Sequence, residues 1–270
     1  MELSPEQRTA LLSLAQSARA QLETELELGL NGLPAPLPLR PSAAPTRPQV
    51  SQVAPPVPAD RAPAGDPPPA QTDVAISSPS DRLAILQTLQ AEAAQCTRCV
   101  LHEKRTKSVF SRGSPEAELV FVGEGPGRDE DLQGEPFVGA AGQLLDRMIT
   151  AMGYGRDQVY ICNVVKCRPP ENRTPRPEEM LACSRYLVPQ VQAVRPKLIV
   201  ALGRCAAQAL GVAQETGAWR GRWGAFQGIQ VMPTYHPAYL LRSPEQKRTV
   251  WEDLQLVMAR LGKSPPAKRS

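Results

Sequence analysis

Apolar and polar positions alternate in blocks along the chain from about residue 80 to residue 261. Short apolar runs bounded by turn residues predict strands at 118–123, 159–165, 197–203 and 229–234. Apolar residues three or four positions apart predict helices at 80–95, 140–153, 177–194, 204–211 and about 244–261. Strands that alternate with helices indicate an α/β protein whose parallel sheet is covered by helices on both faces.

The first 81 residues follow a different pattern. Ser4-Pro5-Glu6-Gln7 has the form of a capping box, and the leucines and alanines that follow at helical spacing predict one amphipathic helix within residues 1–33. This helix either binds a partner protein or packs on its own domain. Residues 34–81 contain no aromatic residue, and 14 of the 29 prolines lie between residues 34 and 79. Such a segment buries too little apolar surface to fold, so it is predicted to be a disordered linker.

Composition and charge extend this division. Residues 1–80 carry five arginines and eight acidic residues, a net charge of −3; since the whole chain is +4, residues 81–270 carry +7. The folded domain is predicted at 82–262, followed by a basic tail at 263–270. A basic domain suits a nucleic-acid partner. The chain shows no apolar run of the ~18 residues that a membrane span needs and no signal-peptide pattern, so a cytoplasmic protein is expected. It is also expected to be a monomer.

Three polar loops follow predicted strands, at 123–139, 163–177 and 234–242. The carboxyl ends of parallel strands meet at one edge of a sheet, so these loops are expected to form one cleft. The first loop, within GEGPGRDEDLQGEPFVGAAG, contains glycines that would let backbone N–H groups approach a ligand. Neither G-x-G-x-x-G nor a P-loop spacing occurs, which leaves a purely structural turn as the alternative to a binding loop.

Cysteines provide a second candidate site. Cys96 and Cys99 form a C-x2-C pair, and Cys167 and Cys183 follow with fifteen residues between them. Four thiolates fit either a [4Fe-4S] cluster or one zinc ion, and spacing alone leaves both open, together with the alternative that Cys167 and Cys183 are ordinary buried residues. Cys162, in an apolar strand, and Cys205, on the apolar face of a helix, are predicted to be core residues. Disulfides are not expected in a reducing compartment.

Four motifs together carry a family resemblance: GEGPGRDEDLQGEPFVGAAGQLL, ICNVVKCRPPENRTP, HPAYLLR and the four cysteines. They resemble the family 4, iron–sulfur uracil-DNA glycosylases over about residues 82–262. The resemblance implies a monofunctional enzyme that hydrolyses the N-glycosidic bond of deoxyuridine in DNA. It also implies a four-stranded parallel sheet in an α/β/α sandwich, and a [4Fe-4S] cluster held by Cys96, Cys99, Cys167 and Cys183.

The same resemblance implies roles for residues in the cleft. Phe137 would stack on the extruded uracil, with Gly125 beside it. Asn163 would accept from N3–H and donate to O4, a pattern that cytosine reverses. His236 would stabilise the leaving uracil at O2. Glu130 would exclude the C5 methyl group of thymine.

A carboxylate is needed to stabilise the cationic sugar or to orient water, and Glu124 is the nearest match. Glu130 and Asp131 remain rivals at this stage, with Asn172 as a further candidate partner of the water. The residues implied to insert into the duplex and to contact phosphate are Leu240, Leu241 and Arg242.

Two other functions compete with this interpretation. The first is a catalytically silent iron–sulfur DNA-binding protein of the same fold, which the intact cleft residues disfavour. The second is a related variant that crosslinks to uracil-containing DNA through an additional histidine in a basic insertion. Only His102 and His236 occur, and no basic insertion lies between residues 203 and 236, so this variant is rejected.

Overall fold

The computed structural model describes residues 78–213, 217 and 219–264. These residues belong to the second of two compact units, Pro69–Ser270. The predicted helix within 1–33, the linker up to residue 77 and the tail from residue 265 lie outside the described residues. The first described helix begins at Pro79, before the predicted domain boundary at residue 82, and the Ser78 hydroxyl accepts from the Asp81 backbone N–H.

The described residues form seven α-helices and six strands, joined by four short 3₁₀ turns. The helices are α1 Pro79–Gln95, α2 Arg128–Gln133, α3 Ala140–Ala151, α4 Pro177–Val194, α5 Arg204–Ala209, α6 Pro237–Arg242 and α7 Lys247–Arg260. The strands are β1 Ser111–Gly113, β2 Leu119–Gly123, β3 Tyr160–Asn163, β4 Leu198–Leu202, β5 Gly224–Phe226 and β6 Ile229–Thr234. No helix in the described ranges has both the length and the apolar character required to cross a membrane.

The strands lie in one sheet in the order β1-β3-β2-β4-β6-β5. The four central strands are parallel, which confirms the predicted α/β class. The prediction of a four-stranded sheet is wrong, because β1 and β5 add antiparallel partners at the two edges. Each edge strand has three residues, too few for the apolar periodicity that identified the longer central strands.

Alternate side chains of the central strands enter two separate cores, as the two-residue period of a strand requires. Val120 and Val122 of β2 pack with α1, α4 and α5 on one face of the sheet. Leu119 and Phe121 of the same strand pack with α3, α6 and α7 on the other face. The fold is therefore an α/β/α sandwich.

Two helices occur where the sequence predicted only loops. α2 interrupts the glycine-rich loop after β2, and α6 begins directly after His236. Each has six residues, less than two full turns, so the 3.6-residue period had little chance to repeat. The sandwich places both short helices beside the carboxyl ends of the parallel strands.

Candidate functional site

The cleft lies where the order of strand addition reverses within the parallel sheet. β3 follows β2 in sequence and lies on one side of it, whereas the next strand, β4, lies on the other side, so the connections after β2 and β3 leave the sheet in opposite directions. Ligand sites in open α/β sheets form at such switch points. Gly123, the last residue of β2, is paired in register with Asn163, the last residue of β3.

Gly123 lets two candidate site residues approach each other. A Cβ atom at this position would lie 2.4 Å from Asn163 Oδ1 and 2.6 Å from Phe137 Cζ. Both distances are shorter than non-bonded contacts allow, so only glycine fits without displacing a side chain. The Asn163 amide and the Phe137 ring are therefore neighbours over the backbone of β2.

Phe137 is held in an unusual backbone conformation. Its φ of 57° lies in the left-handed region, which is rare for a bulky residue and common at ligand sites. Gly142 in α3 makes room for this turn, because a Cβ there would lie 1.8 Å from the Phe137 carbonyl oxygen. The Phe137 ring stacks against the His236 ring with centroids 5.6 Å apart and planes inclined by 27°. The first and last polar loops thus meet, as the sequence predicted.

Asn163 carries an unsatisfied polar atom. Its side chain is 2 % exposed, and Oδ1 is a buried acceptor with no hydrogen-bond partner. Such groups are rare in folded proteins because each costs about 1–3 kcal/mol of stability. The orphaned oxygen, next to an aromatic ring, is suited to accept from a planar ligand that carries a ring N–H.

His236 is held as a neutral donor. It is the N-cap of α6, and its Nδ1 accepts a 3.1 Å hydrogen bond from the Ala238 backbone N–H. Because Nδ1 accepts, the proton of the neutral ring is on Nε2. Burial, aided by the charge of Arg242, lowers the pKa of His236 to about 4, so the ring stays neutral at neutral pH.

Glu124 follows Gly123 directly and lies close to Thr174 and Cys205. Burial raises the pKa of the Glu124 carboxyl, and a hydrogen bond from Thr174 opposes that shift. The Cys205 thiol, on α5, has its pKa raised to about 12 by burial and then by the charge of Glu124. Glu124 is therefore a partly buried carboxylate at the switch point, next to the loops after β3 and β4. Gly125 packs against Val165 of the loop after β3.

The rival polar residues have other partners. Glu130 accepts from the backbone N–H groups of residues 127, 138 and 139 at 3.0–3.1 Å, so its two oxygens tie the ends of the first loop together. Asp131 is 2 % exposed and accepts from the backbone N–H of Thr106 at 2.9 Å. Asn172 is exposed on the surface, where its Oδ1 accepts from Arg168. Of Glu124 and these three residues, Glu124 therefore remains the candidate carboxylate of the cleft.

The residues implied to contact DNA differ in orientation. Leu240 is 1 % exposed and packs in the core beneath α6, whereas Leu241 is 44 % exposed. Arg242 is also exposed. Leu240 completes the core in this structure, so Leu241 and Arg242 are the two of the three residues that face solvent, and contact of this segment with DNA stays a prediction. Within a six-residue helix, adjacent side chains point in different directions, and the sequence did not show which one faced the core.

The four predicted metal-binding cysteines border one small cavity on the α1–α4 face of the sheet, together with His102 and Lys166. Among the described residues, no three histidine, cysteine or carboxylate side chains lie close enough to hold a metal ion as they stand. Burial raises the pKa of the Cys99, Cys167 and Cys183 thiols, the last to about 11. Without a metal these thiols are protonated, and binding would release the protons.

Lys166 was missed by the sequence analysis. It is 1 % exposed, its Nζ donates to the Asn163 carbonyl oxygen at 2.7 Å, and its backbone N–H donates to Cys183 Sγ. No ion pair joins Lys166 to a carboxylate in the ranges that the structure describes, although a buried cation needs negative charge nearby. Burial lowers the pKa of Lys166, and the thiolate charges of nearby cysteines oppose that shift. The Lys166 amino group therefore lies beside the cysteines of the cavity, where deprotonated thiols would supply negative charge. Its only signal in the sequence is a lysine between an apolar run and a cysteine.

The fold and the cleft define the class of this protein as an α/β/α protein with a switch-point site for a planar ring that carries hydrogen-bonding groups. Residues 110–255 match the family model of the Uracil DNA glycosylase superfamily. The chain is 43 % identical over 196 residues to a type-4 uracil-DNA glycosylase of Archaeoglobus fulgidus, covering 67 % of this chain and 96 % of that protein.

A type-4 uracil-DNA glycosylase of Thermotoga maritima is 44 % identical over 176 residues, which cover 63 % of this chain and 92 % of that protein. A third, from Saccharolobus solfataricus, is 40 % identical over 190 residues, which cover 67 % of this chain and 88 % of that protein. The chain belongs to the type-4 uracil-DNA glycosylase family.

Proposed function

We propose that this protein removes uracil from DNA by hydrolysing the N-glycosidic bond of deoxyuridine, which releases free uracil and leaves an abasic site. Family membership supports the activity, and the orphaned Asn163 Oδ1 beside Phe137 supports this substrate most directly. A base inside a duplex is inaccessible to such a pocket, so the nucleotide must first be extruded. The extruded ring then lies against Phe137, which supplies stacking energy.

Recognition follows from the amide of Asn163. Its oxygen accepts from uracil N3–H, and its amino group donates to O4. Cytosine has an acceptor at N3 and a donor at N4, so both bonds fail and buried polar groups stay unpaired. Gly125 contributes backbone at the pocket edge. Glu130 excludes a C5 methyl group through the loop that its three backbone bonds hold in place.

Bond cleavage separates charge between the base and the sugar. The electron pair of the C1′–N1 bond passes to uracil, and the sugar becomes an oxocarbenium-like cation. His236 Nε2–H donates to O2 of the leaving uracil anion, a bond that strengthens as charge develops. Glu124 stabilises the cation and orients the water that adds to C1′. The two residues thus act at opposite ends of the breaking bond.

The four cysteines that line one cavity, Cys96, Cys99, Cys167 and Cys183, are the proposed ligands of a [4Fe-4S] cluster. When bound, the cluster would crosslink the segment after α1 to the loop after β3 and to α4, which gives it a structural role. Lys166 balances the negative charge of the ligands and donates to the backbone of Asn163. Beside the cleft, Leu241 inserts into the DNA and Arg242 contacts phosphate.

The activity is tested with a deoxyuridine oligonucleotide and the anaerobically purified full-length chain. Free uracil is measured by mass spectrometry, and covalent protein–DNA adducts are measured on denaturing gels. Uracil release without an adduct is expected. DNA binding with no release would instead support the catalytically silent alternative, and an adduct would support the crosslinking variant.

Gly123→Ala is expected to lower kcat/KM for uracil release about 100-fold or more, because a Cβ would displace Asn163 Oδ1 or the Phe137 ring. Gly155→Ala is the matched control, since its nearest new contact is a Gln158 side-chain atom at 3.4 Å and its φ of −74° suits alanine. Steady-state kinetics and thermal unfolding are compared for both. Wild-type activity in Gly123→Ala would contradict the proposed pocket.

The proton on His236 is expected to be on Nε2 and to remain absent from Nδ1 until the pH falls to about 4. Because the folded pKa is below the ordinary value of 6.5, unfolded chains take up this proton first. The group therefore lowers stability as the pH falls from about 6.5 towards 4, and has no such effect above 6.5. Nitrogen NMR of His102→Gln, which leaves one imidazole, follows both tautomer and titration. A titration near 6.5, or an Nδ1–H tautomer, would contradict the assignment.

A further inference from the structure

Three aromatic side chains form a continuous group beside the cleft. The rings of Trp219 and Tyr235 meet edge to face with centroids 5.8 Å apart. Tyr235 and Tyr239 follow with centroids 5.0 Å apart and planes inclined by 46°. Aromatic residues are only 4 % of the chain, so three rings in contact are a local concentration of them.

Contacts with β6 and α7 fix the position of this aromatic group. The Gly221 backbone N–H donates to the Pro233 carbonyl oxygen at 2.9 Å, which joins the segment after Trp219 to β6. Arg220 lies over the Tyr235 ring at 5.3 Å, and its Nη1 donates to both oxygens of the buried Asp253 carboxylate at 2.8 Å. Thr234 donates to the same carboxylate. A rigid group of rings loses little conformational entropy when it binds a ligand.

Positive charge accompanies the rings. The Arg204 guanidinium lies over the Trp219 ring at 5.7 Å, and Arg220, whose charge is offset by Asp253, lies over Tyr235. Arg242, at the end of α6, is exposed. Alternating aromatic rings and guanidinium groups bind single-stranded nucleic acid, because bases stack on the rings and phosphates approach the cations.

The group is continuous with the proposed catalytic site. Tyr235 directly precedes His236, and the Tyr239 backbone N–H donates to the His236 carbonyl oxygen at 2.9 Å. Tyr239 is 36 % exposed, while Trp219 and Tyr235 are partly buried against the two cores. Bases that flank a uracil bound next to His236 are therefore expected within reach of the exposed Tyr239 ring and of the two rings that continue from it.

We propose that Trp219, Tyr235 and Tyr239 form a stacking surface for the unpaired bases that flank the extruded uracil, so that the protein binds single-stranded DNA more tightly than duplex. This inference rests on the proposed function and extends it to the form of the substrate. In a duplex the flanking bases stay stacked in their helix, so the rings are left without a partner. In a single strand the flanking bases are free to stack on them.

The test measures the binding of an undamaged, fluorescently labelled oligothymidine and of a duplex of equal length by anisotropy. Tyr239→Ala is expected to weaken binding of the single strand about tenfold, and to change duplex binding much less. Tyr239→Phe keeps the ring and is expected to restore single-strand binding. Leu83→Ala, at an exposed apolar residue on α1, is the control for loss of surface area.

Steady-state kinetics distinguish a base-stacking role of Tyr239 from a purely structural role. With single-stranded substrate, Tyr239→Ala is expected to raise KM about tenfold and to leave kcat within about twofold, whereas a distorted His236 would lower kcat. Equal weakening for single strand and duplex, no weakening, or loss in Tyr239→Phe equal to that in Tyr239→Ala would overturn the proposal. The binding measurement needs no catalysis, so absence of uracil release from the wild type would contradict the proposed function and leave this test intact.

Discussion

Asn163→Ala is expected to lower kcat/KM for uracil release by about two to three orders of magnitude, because both hydrogen bonds that identify the base are lost in a buried pocket. Stability is expected to change far less than activity. The free protein gains nothing from Asn163 Oδ1, which is buried without a partner. Steady-state kinetics with single-stranded substrate and thermal unfolding measure the two effects separately.

Asn163→Asp is the matched variant, since it keeps the size of the side chain and replaces the amide donor by an acceptor oxygen. Its carboxylate cannot donate to O4 of uracil and can accept from N4–H of cytosine. The rate on uracil is therefore expected to fall, and the preference for uracil over cytosine is expected to narrow. Wild-type activity in Asn163→Ala, or unchanged base preference in Asn163→Asp, would show that Asn163 does not read the base.

Cys167→Ala is expected to abolish iron binding and to lower the free energy of unfolding by more than about 4 kcal/mol, the scale typical of a lost structural metal site. For a domain of this size, that loss corresponds to a fall in Tm of about 10 °C or more. The physical reason is that the cysteines border one cavity, where a bound cluster would join the α1–α4 face of the fold. Iron and sulfide analysis, visible absorbance and thermal unfolding give the result.

Cys205→Ala is the control, because it makes the same change at a buried cysteine outside the cavity. It is expected to keep its iron and to lose only the stability of one small core side chain. Iron retained in Cys167→Ala would contradict the ligand assignment. Zinc in place of iron in the wild-type protein would contradict the cluster while leaving the cysteine site in place.

Most of the central fold could be predicted from local patterns. Helix α4 begins at Pro177 and ends at Val194, as predicted, and β6 also has the predicted bounds. Long segments repeat their period several times, so the apolar spacing identifies them. The two edge strands and helices α2 and α6 were missed, since three to six residues give no repeat to detect.

The cleft was predicted in outline. The convergence of the loops after β2, β3 and β6 is confirmed, because parallel strands force their carboxyl ends to one edge of the sheet. The chemical roles of Phe137, Asn163 and His236 stay predictions, now with a defined geometry. Glu130 shows the limit of spacing arguments: the sequence placed it in the first loop, and the structure turns its carboxylate towards the loop backbone.

The sequence by itself determined the α/β class, the order of the central elements, the family resemblance and the choice of four cysteines as candidate metal ligands. These depend on residue type and on spacing along the chain. Only the tertiary structure decided that Leu240 faces the core while Leu241 faces solvent, that Lys166 is buried beside the cysteines, and that Asn163 Oδ1 has no partner. Burial and hydrogen bonding depend on residues far apart in sequence, so no local pattern contains them.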